Sequence, residues 1–195
     1  SRLAFSSTMT VKEIEAHVKT KMEKTIADLQ HEMSTLRTGR ASLSLLDTVK
    51  VDYYGTPTPL NQVANLHVAE AQLITISPWD SSIIGAIEKA IRAAELGLNP
   101  ANDGKLIRLP IPALTEERRK EIVKKLHGMA EQHRVALRNE RRDANDKLKK
   151  LLKDKAISED DERRALEEVQ KMTDAAIAKL DALAKTKEKD ILEVK

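Results

Sequence analysis

Cysteine is absent from the 195-residue chain. That excludes disulfides, thiolate metal sites and cysteine nucleophiles, and it fits a reducing compartment. Aromatic residues are nearly absent too: one Trp, two Tyr and one Phe. With so few rings, a thick compact core is hard to fill, and elongated packing of Leu, Ile, Val, Met and Ala is expected. No run of about 18 apolar residues occurs, so no membrane-spanning helix and no membrane partner are expected. The six glycines are spread singly. Neither GxxxxGK[ST] nor GxGxxG is present, which argues against nucleotide hydrolysis and dinucleotide binding through the usual loops. None of the five histidines (His17, His31, His67, His127 and His133) forms an HExxH or an i, i+4 zinc pair. His127 and His133 fall on different faces of a helix. Solvated or packed histidines are the simpler reading, and no cofactor or metal is expected. The acidic run Glu159–Glu162 suits the start of a helix better than acid–base chemistry.

Charge is nearly balanced, at net +3, but unevenly placed. Residues 115–155 hold 14 Lys and Arg against 8 Asp and Glu, whereas residues 156–195 hold 8 against 11. A near-neutral chain with one basic segment suggests a directed surface for a polyanion.

Three segments carry helical periodicity. In residues 10–37 a Thr10/Glu13 capping box precedes Val11, Ile14, Val18, Met22, Ile26, Leu29, Met33 and Leu36, with Gly39 as the stop. In residues 115–153 Thr115 is the expected N-cap and Ile122, Leu126, Met129, Ala136, Leu137, Ala144, Leu148 and Leu151 form the stripe. Such a helix spans about 60 Å. In residues 159–193, capped by Ser158, the stripe is Leu166, Val169, Thr173, Ala176, Leu180, Leu183 and Ile191, with a gap at Lys187. Three single-striped helices bury their stripes only together, so an antiparallel three-helix bundle is expected over 10–38 and 114–195.

The interval 39–113 has a different grammar and reads as an inserted small α/β domain. Strands are predicted at Thr48–Tyr54, Asn65–Ala69, Gln72–Ser77 and Lys105–Ile111, with Gly55–Pro59 as a break and a helix over Ser81–Glu95. Two short crossings, through Thr38 and Gly39 and through Pro112 and Ala113, are the expected hinge. Residues 1–9 read as a disordered head: a cloning scar, an upstream extension or a leader remnant. Met9 reads as a natural start. The fold class expected is therefore α+β with two domains.

The most informative stretch is 134–149. On a helix, Arg134, Arg138, Arg141, Asn145 and Lys149 step by four, three, four and four along one face, with Asn139 and Arg142 beside them. Such a row tracks a phosphate backbone, and guanidinium forks suit phosphate oxygens. A solvated face paired to Glu131, Asp143 and Asp146 is the alternative. The scarcity of rings argues against single-strand readout and for backbone and shape recognition of folded RNA. Arg37 and Arg40 flank the first crossing, where a basic helix end is an equally good account. A helical protein whose basic face meets an acidic partner is one rival. An RNA-directed enzyme is another, but no acid–base pair or metal cluster is visible for it.

Several stretches together carry a resemblance: Leu36-Arg-Thr-Gly-Arg-Ala-Ser42, Val51-Asp-Tyr-Tyr-Gly-Thr-Pro-Thr-Pro-Leu60, Pro112-Ala-Leu-Thr-Glu-Glu-Arg-Arg-Lys120 and Val135-Ala-Leu-Arg-Asn-Glu-Arg-Arg-Asp-Ala-Asn-Asp-Lys147. The chain resembles the bacterial-type ribosome recycling factor family from about residue 10 to the C-terminus. The resemblance implies an L-shaped fold with a bundle arm and a small β/α/β arm. It implies a non-enzyme that binds the post-termination ribosome and, with elongation factor G and GTP, promotes its dissociation into subunits, which initiation factor three then keeps apart. Ribosomal-RNA contacts are implied at Arg138, Arg141 and Arg142, Arg141 ranking first, with Arg37 and Arg40 in matched basic motifs. A monomer in the bacterial cytoplasm is expected, an organellar form staying open.

Overall fold

The computed structural model describes residues 9–193; the expectation for the head lies, but for Met9, outside them. Contacts divide the chain into two compact units, one of residues 9–33 with 123–193 and one of residues 34–122.

Three helices build the first unit: α1 (Val11–Ser34), most of α3 (Glu116–Lys153) and α4 (Glu159–Leu192). Their order is fixed by cross-helix pairs. The Thr25 hydroxyl donates to Glu140 Oε1 at 2.6 Å, and Glu32 lies 4.0 Å from His133 Nε2, so α1 and α3 run antiparallel. Arg134 meets Asp181 and Arg141 meets Gln170, so α3 and α4 are antiparallel as well. The seam between them is aliphatic: Ile14, Val18, Met22, Ile26 and Leu29 of α1, Leu126, Leu137, Ala144 and Leu148 of α3, and Val169, Leu180 and Ile191 of α4 are buried. The thin middle of α3 is completed by polar groups. Glu140 takes the Thr25 hydroxyl, and the His133 ring pairs through Nδ1 with the Met129 carbonyl at 2.7 Å. At the gap in the α4 stripe sits Lys187, whose burial pushes its amine pKa down, with Asp190 opposing.

Helix ends follow local chemistry. Ser158 and Asp161 form a full capping box at α4, which holds the Asp161 carboxyl below its ordinary range. At α1 only half of the expected box forms. The Glu13 amide donates to Thr10 Oγ1, but the Glu13 carboxylate takes the Thr10 hydroxyl rather than an amide. Nor does α1 reach Gly39. It stops at Ser34, and Leu36, which continues the stripe, is buried just beyond the helix end.

The second unit is a four-stranded antiparallel sheet, a hairpin and one helix. The strands β1 (Lys50–Tyr53) and β2 (Thr56–Pro59) pair with each other. The strands β3 (Ala64–Glu70), β4 (Leu73–Pro78), β5 (Ala101–Asn102) and β6 (Ile107–Pro110) form the sheet in the order β3-β4-β6-β5. The helix α2 (Ile84–Ala93) follows a 3-10 turn, Ser81–Ile83. The unit's core is Val49, Val51, Leu60, Ile74, Ile76, Ile87, Ile91, Ile107 and Leu109. Sequence periodicity places four of these strands within a few residues, and it misses β2 and β5. The chain does break at Tyr54–Gly55, which both take positive φ, +48° and +84°, as a two-residue hairpin turn requires, but Thr56–Pro59 then forms a second strand. Pro57 and Pro59 are tolerated because β2 pairs on one side only.

The two expected crossings lie side by side in this unit. A Cβ on Gly39 would sit 3.4 Å from both the Leu114 side chain and its backbone nitrogen, and Gly39 has φ +78°. Gly39→Ala should therefore cost roughly 1–2 kcal/mol, read as a lowered urea midpoint at unchanged slope.

Candidate nucleic-acid interface

The residues singled out on α3 do not form one flat row. At roughly 100° per residue, Arg141 and Arg134 lie only about 40–60° round from the Leu137–Ala144–Leu148 seam, Asn145 about 80°, and Arg138, Lys149 and Arg142 about 100–140°. Burial follows that order: Arg134, Arg141 and Asn145 are half-buried, while Arg138, Lys149 and Arg142 are exposed. The basic residues thus stand in two ranks.

The inner rank is tied to α4. Arg134 is clamped between Glu131 on its own helix and Asp181 Oδ1 across the interface at 2.6 Å. These bonds, Asp181's first, raise its already high pKa, so it is a permanent cation neutralised on the spot. Arg141 donates from Nη1 to Gln170 Oε1 at 3.0 Å, and Gln170 in turn donates from its amide to Asp174 at 2.8 Å. The buried Nε of Arg141 and Oδ1 of Asn145 have no hydrogen-bond partner among the described residues. The Arg141 guanidinium is therefore aimed by a neutral amide and keeps its charge uncompensated, unlike Arg134.

In the outer rank, Arg138 has only a long contact, 3.8 Å, to Glu131. Arg142 and Lys149 form no ion pair among the described residues, and neither do Asp143 and Asp146. Of the three carboxylates weighed as partners, Glu131 alone is engaged. Lys150 and Lys153 continue the exposed cationic surface to the end of α3.

Arg37 and Arg40 belong to the other unit. Both are half-buried, and Arg37 Nη1 lies 3.5 Å from the Leu96 carbonyl, beyond the end of α2. The hinge candidates Thr38, Gly39, Pro112 and Ala113 lie in that unit as well, between Leu36 and the start of α3. Gln170, Asp174 and Asp181 were not legible in the one-dimensional pattern. They become so once the helices are known to be antiparallel, because the register then sets Arg134 against Asp181 and Arg141 against Gln170.

Among the described residues no group of His, Asp and Glu is placed to hold a metal ion, and no helix is long and apolar enough to cross a membrane. The class defined by these features is a two-unit α+β binding factor whose longest helix carries a cationic outer face. Comparison with known proteins is specific. A family model described as ribosome recycling factor matches residues 29–192. The ribosome-recycling factor of Legionella pneumophila strain Paris is 55% identical over 184 residues, covering 94% of this chain and 100% of that protein. That of Trichlorobacter lovleyi is 58% identical over 183 residues, covering 94% and 99%. A solution structure of a ribosome recycling factor matches with TM-score 0.78 and 42% identity over 94% of this chain and 98% of that one. A second structure, of the T. thermophilus ribosome recycling factor with E. coli elongation factor G bound to the E. coli post-termination complex, matches with TM-score 0.65 and 49% identity over 95% and 100%. The chain belongs to the ribosome recycling factor family, a family of non-enzymatic translation factors.

The two ranks should separate by melting. Arg134→Ala loses a cross-helix ion pair and should cost on the order of 0.5–1 kcal/mol, while Arg142→Ala should leave the midpoint unchanged. Thermal and urea unfolding of the two variants check this.

Proposed function

We propose that this chain binds the post-termination ribosome through the outer face of α3, lying against large-subunit ribosomal RNA. With elongation factor G and GTP it promotes separation of the subunits, which initiation factor three then keeps apart. The observation that carries the reading is the graded set Arg141, Arg138, Arg142 and Lys149 on a continuous 38-residue helix. The first is pointed by Gln170 and the others are exposed and little compensated. A stiff helix holds these charges at fixed spacing, so their ordering is complete before RNA arrives. Arg134 contributes to the bundle rather than to the RNA, and Asn145 borders the contact. Arg37 and Arg40 form a second basic element at the crossing.

The factor performs mechanical rather than chemical work. The inserted α/β domain, residues 39–113, pivots about its two crossings, Thr38–Gly39 and Pro112–Ala113, when elongation factor G drives it, and the helices carry that displacement into the subunit interface. It acts as a monomer in the bacterial cytoplasm. Because the stripes of α1, α3 and α4 satisfy one another, a second copy is not needed to cover them. A rival reading, an acidic protein as the partner of the α3 face, predicts no sedimentation with vacant ribosomes. Subunit release on adding elongation factor G and GTP to such ribosomes is the direct test.

Two outcomes follow. With about six phosphate contacts, ribosome affinity should fall on the order of 10³-fold between about 50 and 200 mM salt; a flat response removes the electrostatic reading. Arg141→Ala and Arg142→Ala should each weaken co-sedimentation about tenfold or more while shifting the melting midpoint by no more than a few degrees. A large fall in melting with intact binding would reassign Arg141 to the bundle.

A further inference from the structure

Two arginines of α3 meet α4 in different company. Arg134 is held by Asp181 Oδ1 at 2.6 Å and by Glu131. Arg141 is held by Gln170 Oε1 at 3.0 Å, and among the described residues Gln170 is its only hydrogen-bond partner. Gln170 and Asp181 are close to three helical turns apart, so they project within about 20° of each other on α4. Both are exposed, so burial does not decide which residue type stands at either position.

Stability does not call for an amide at 170. At the level of 181 the same groove seats a carboxylate against an arginine. A glutamate at 170 has the length of the glutamine, and a carboxylate bond to a guanidinium is the stronger of the two. What the amide does differently is electrostatic. Its oxygen accepts one N–H and so sets where the fork points, yet it brings no countercharge. The nearby acid, Asp174, sits behind the amide: Gln170 Nε2 donates to Asp174 Oδ1 at 2.8 Å. That bond turns the amide so that its oxygen, and not its NH2 group, faces Arg141. The carboxylate thus directs the guanidinium from one residue further back without pairing with it.

Nothing on α3 competes for the fork. The Nε of Arg141 is buried without a hydrogen-bond partner among the described residues, and so is Oδ1 of Asn145, one turn further on. The direction of the guanidinium therefore depends on Gln170. A phosphate contact needs that direction and an available charge together, because fork geometry and counterion release both contribute to it. An arginine already paired with acids has to break an ion pair first.

We propose that Gln170 is a positioning residue for the RNA contact of Arg141, and that this contact requires an amide there. Gln170 fixes the guanidinium in direction and leaves its charge for phosphate, whereas a carboxylate in its place would silence Arg141 as Asp181 and Glu131 silence Arg134. The inference rests on the reading of α3 as the ribosomal-RNA face given above.

The test is sedimentation of the full chain with vacant ribosomes over about 50–200 mM salt. Gln170→Glu should bind about threefold or more weaker in mid-range, with the slope of log affinity against log salt shallower by about 0.7–0.9, the share of one phosphate contact. Its melting should hold. Gln170→Met loses the direction but adds no countercharge, so it should bind about twofold or more weaker at the wild-type slope. The exchange of Gln170→Glu with Asp181→Gln leaves the net charge of α4 unchanged. Because Glu131 still pairs with Arg134, the exchange should bind as weakly as Gln170→Glu alone. Recovery of wild-type binding by the exchange means that only the summed charge of α4 matters, and it overturns the proposal. Unchanged binding in Gln170→Met, or a slope there as shallow as in Gln170→Glu, overturns it too. So does a wild-type slope for Gln170→Glu, with or without lowered melting, beside a shallower slope for Arg141→Ala. Should Arg141→Ala itself keep the wild-type slope, Arg141 touches no phosphate, and the RNA reading fails at that residue together with this inference.

Discussion

A single apolar stripe on a single helix has no way to leave water except against other stripes, and three such helices meet that demand once. Burial of Leu29, Leu126, Leu137, Leu148, Val169 and Leu180 along one seam brings α1, α3 and α4 together, and the short connection 154–158 turns α4 back along α3. The direction sets the register, and the register puts Arg134 opposite Asp181 and Arg141 opposite Gln170. The basic surface is in this sense a by-product of how leucines are spaced. Arginines about 40–60° from the seam become clamps or are aimed, and the basic residues about 100–140° from it stay exposed. Arginine serves both purposes because its long stem packs while its fork reaches outward.

Much of the architecture was legible because long periodic segments are strong signals. The α3 and α4 boundaries fall within a residue of those predicted from Thr115 and Ser158. What was not legible depends on tertiary context. Periodicity carries α1 on to Leu36, whereas the helix ends at Ser34 and Leu36 is buried without being helical. Prolines at 57 and 59 read as breakers, since one-dimensional reasoning has no means of knowing that β2 pairs on a single side. The candidate interface shows the same division. Spacing alone located the arginines, yet it ranked Arg134 with Arg138, because helical spacing says nothing of what stands across the groove. The polar groups that orient them, Gln170 and Asp174, lie about 30 residues further on and carry no motif.

The two units use their scarce resources differently. The helical unit concentrates positive charge on one helix and has no Phe, Tyr or Trp among its described residues. The smaller unit keeps its core aliphatic, in Val51, Ile74, Ile76, Ile87, Ile107 and Leu109, and spends its three rings on the surface. The first choice suits the proposed contact with ribosomal RNA. The second is unexpected on folding grounds alone, since a small core gains most from large side chains.

The prolines of β2 have a consequence for how the molecule behaves at high concentration. A two-stranded ribbon ordinarily offers its outer side as a template on which a further strand, from any chain, can zip. Two of the four residues of β2 have no amide hydrogen to offer such a strand. A stretch that is open to solvent is thereby made a poor seed for sheet-to-sheet stacking, without a covering element having to be built over it.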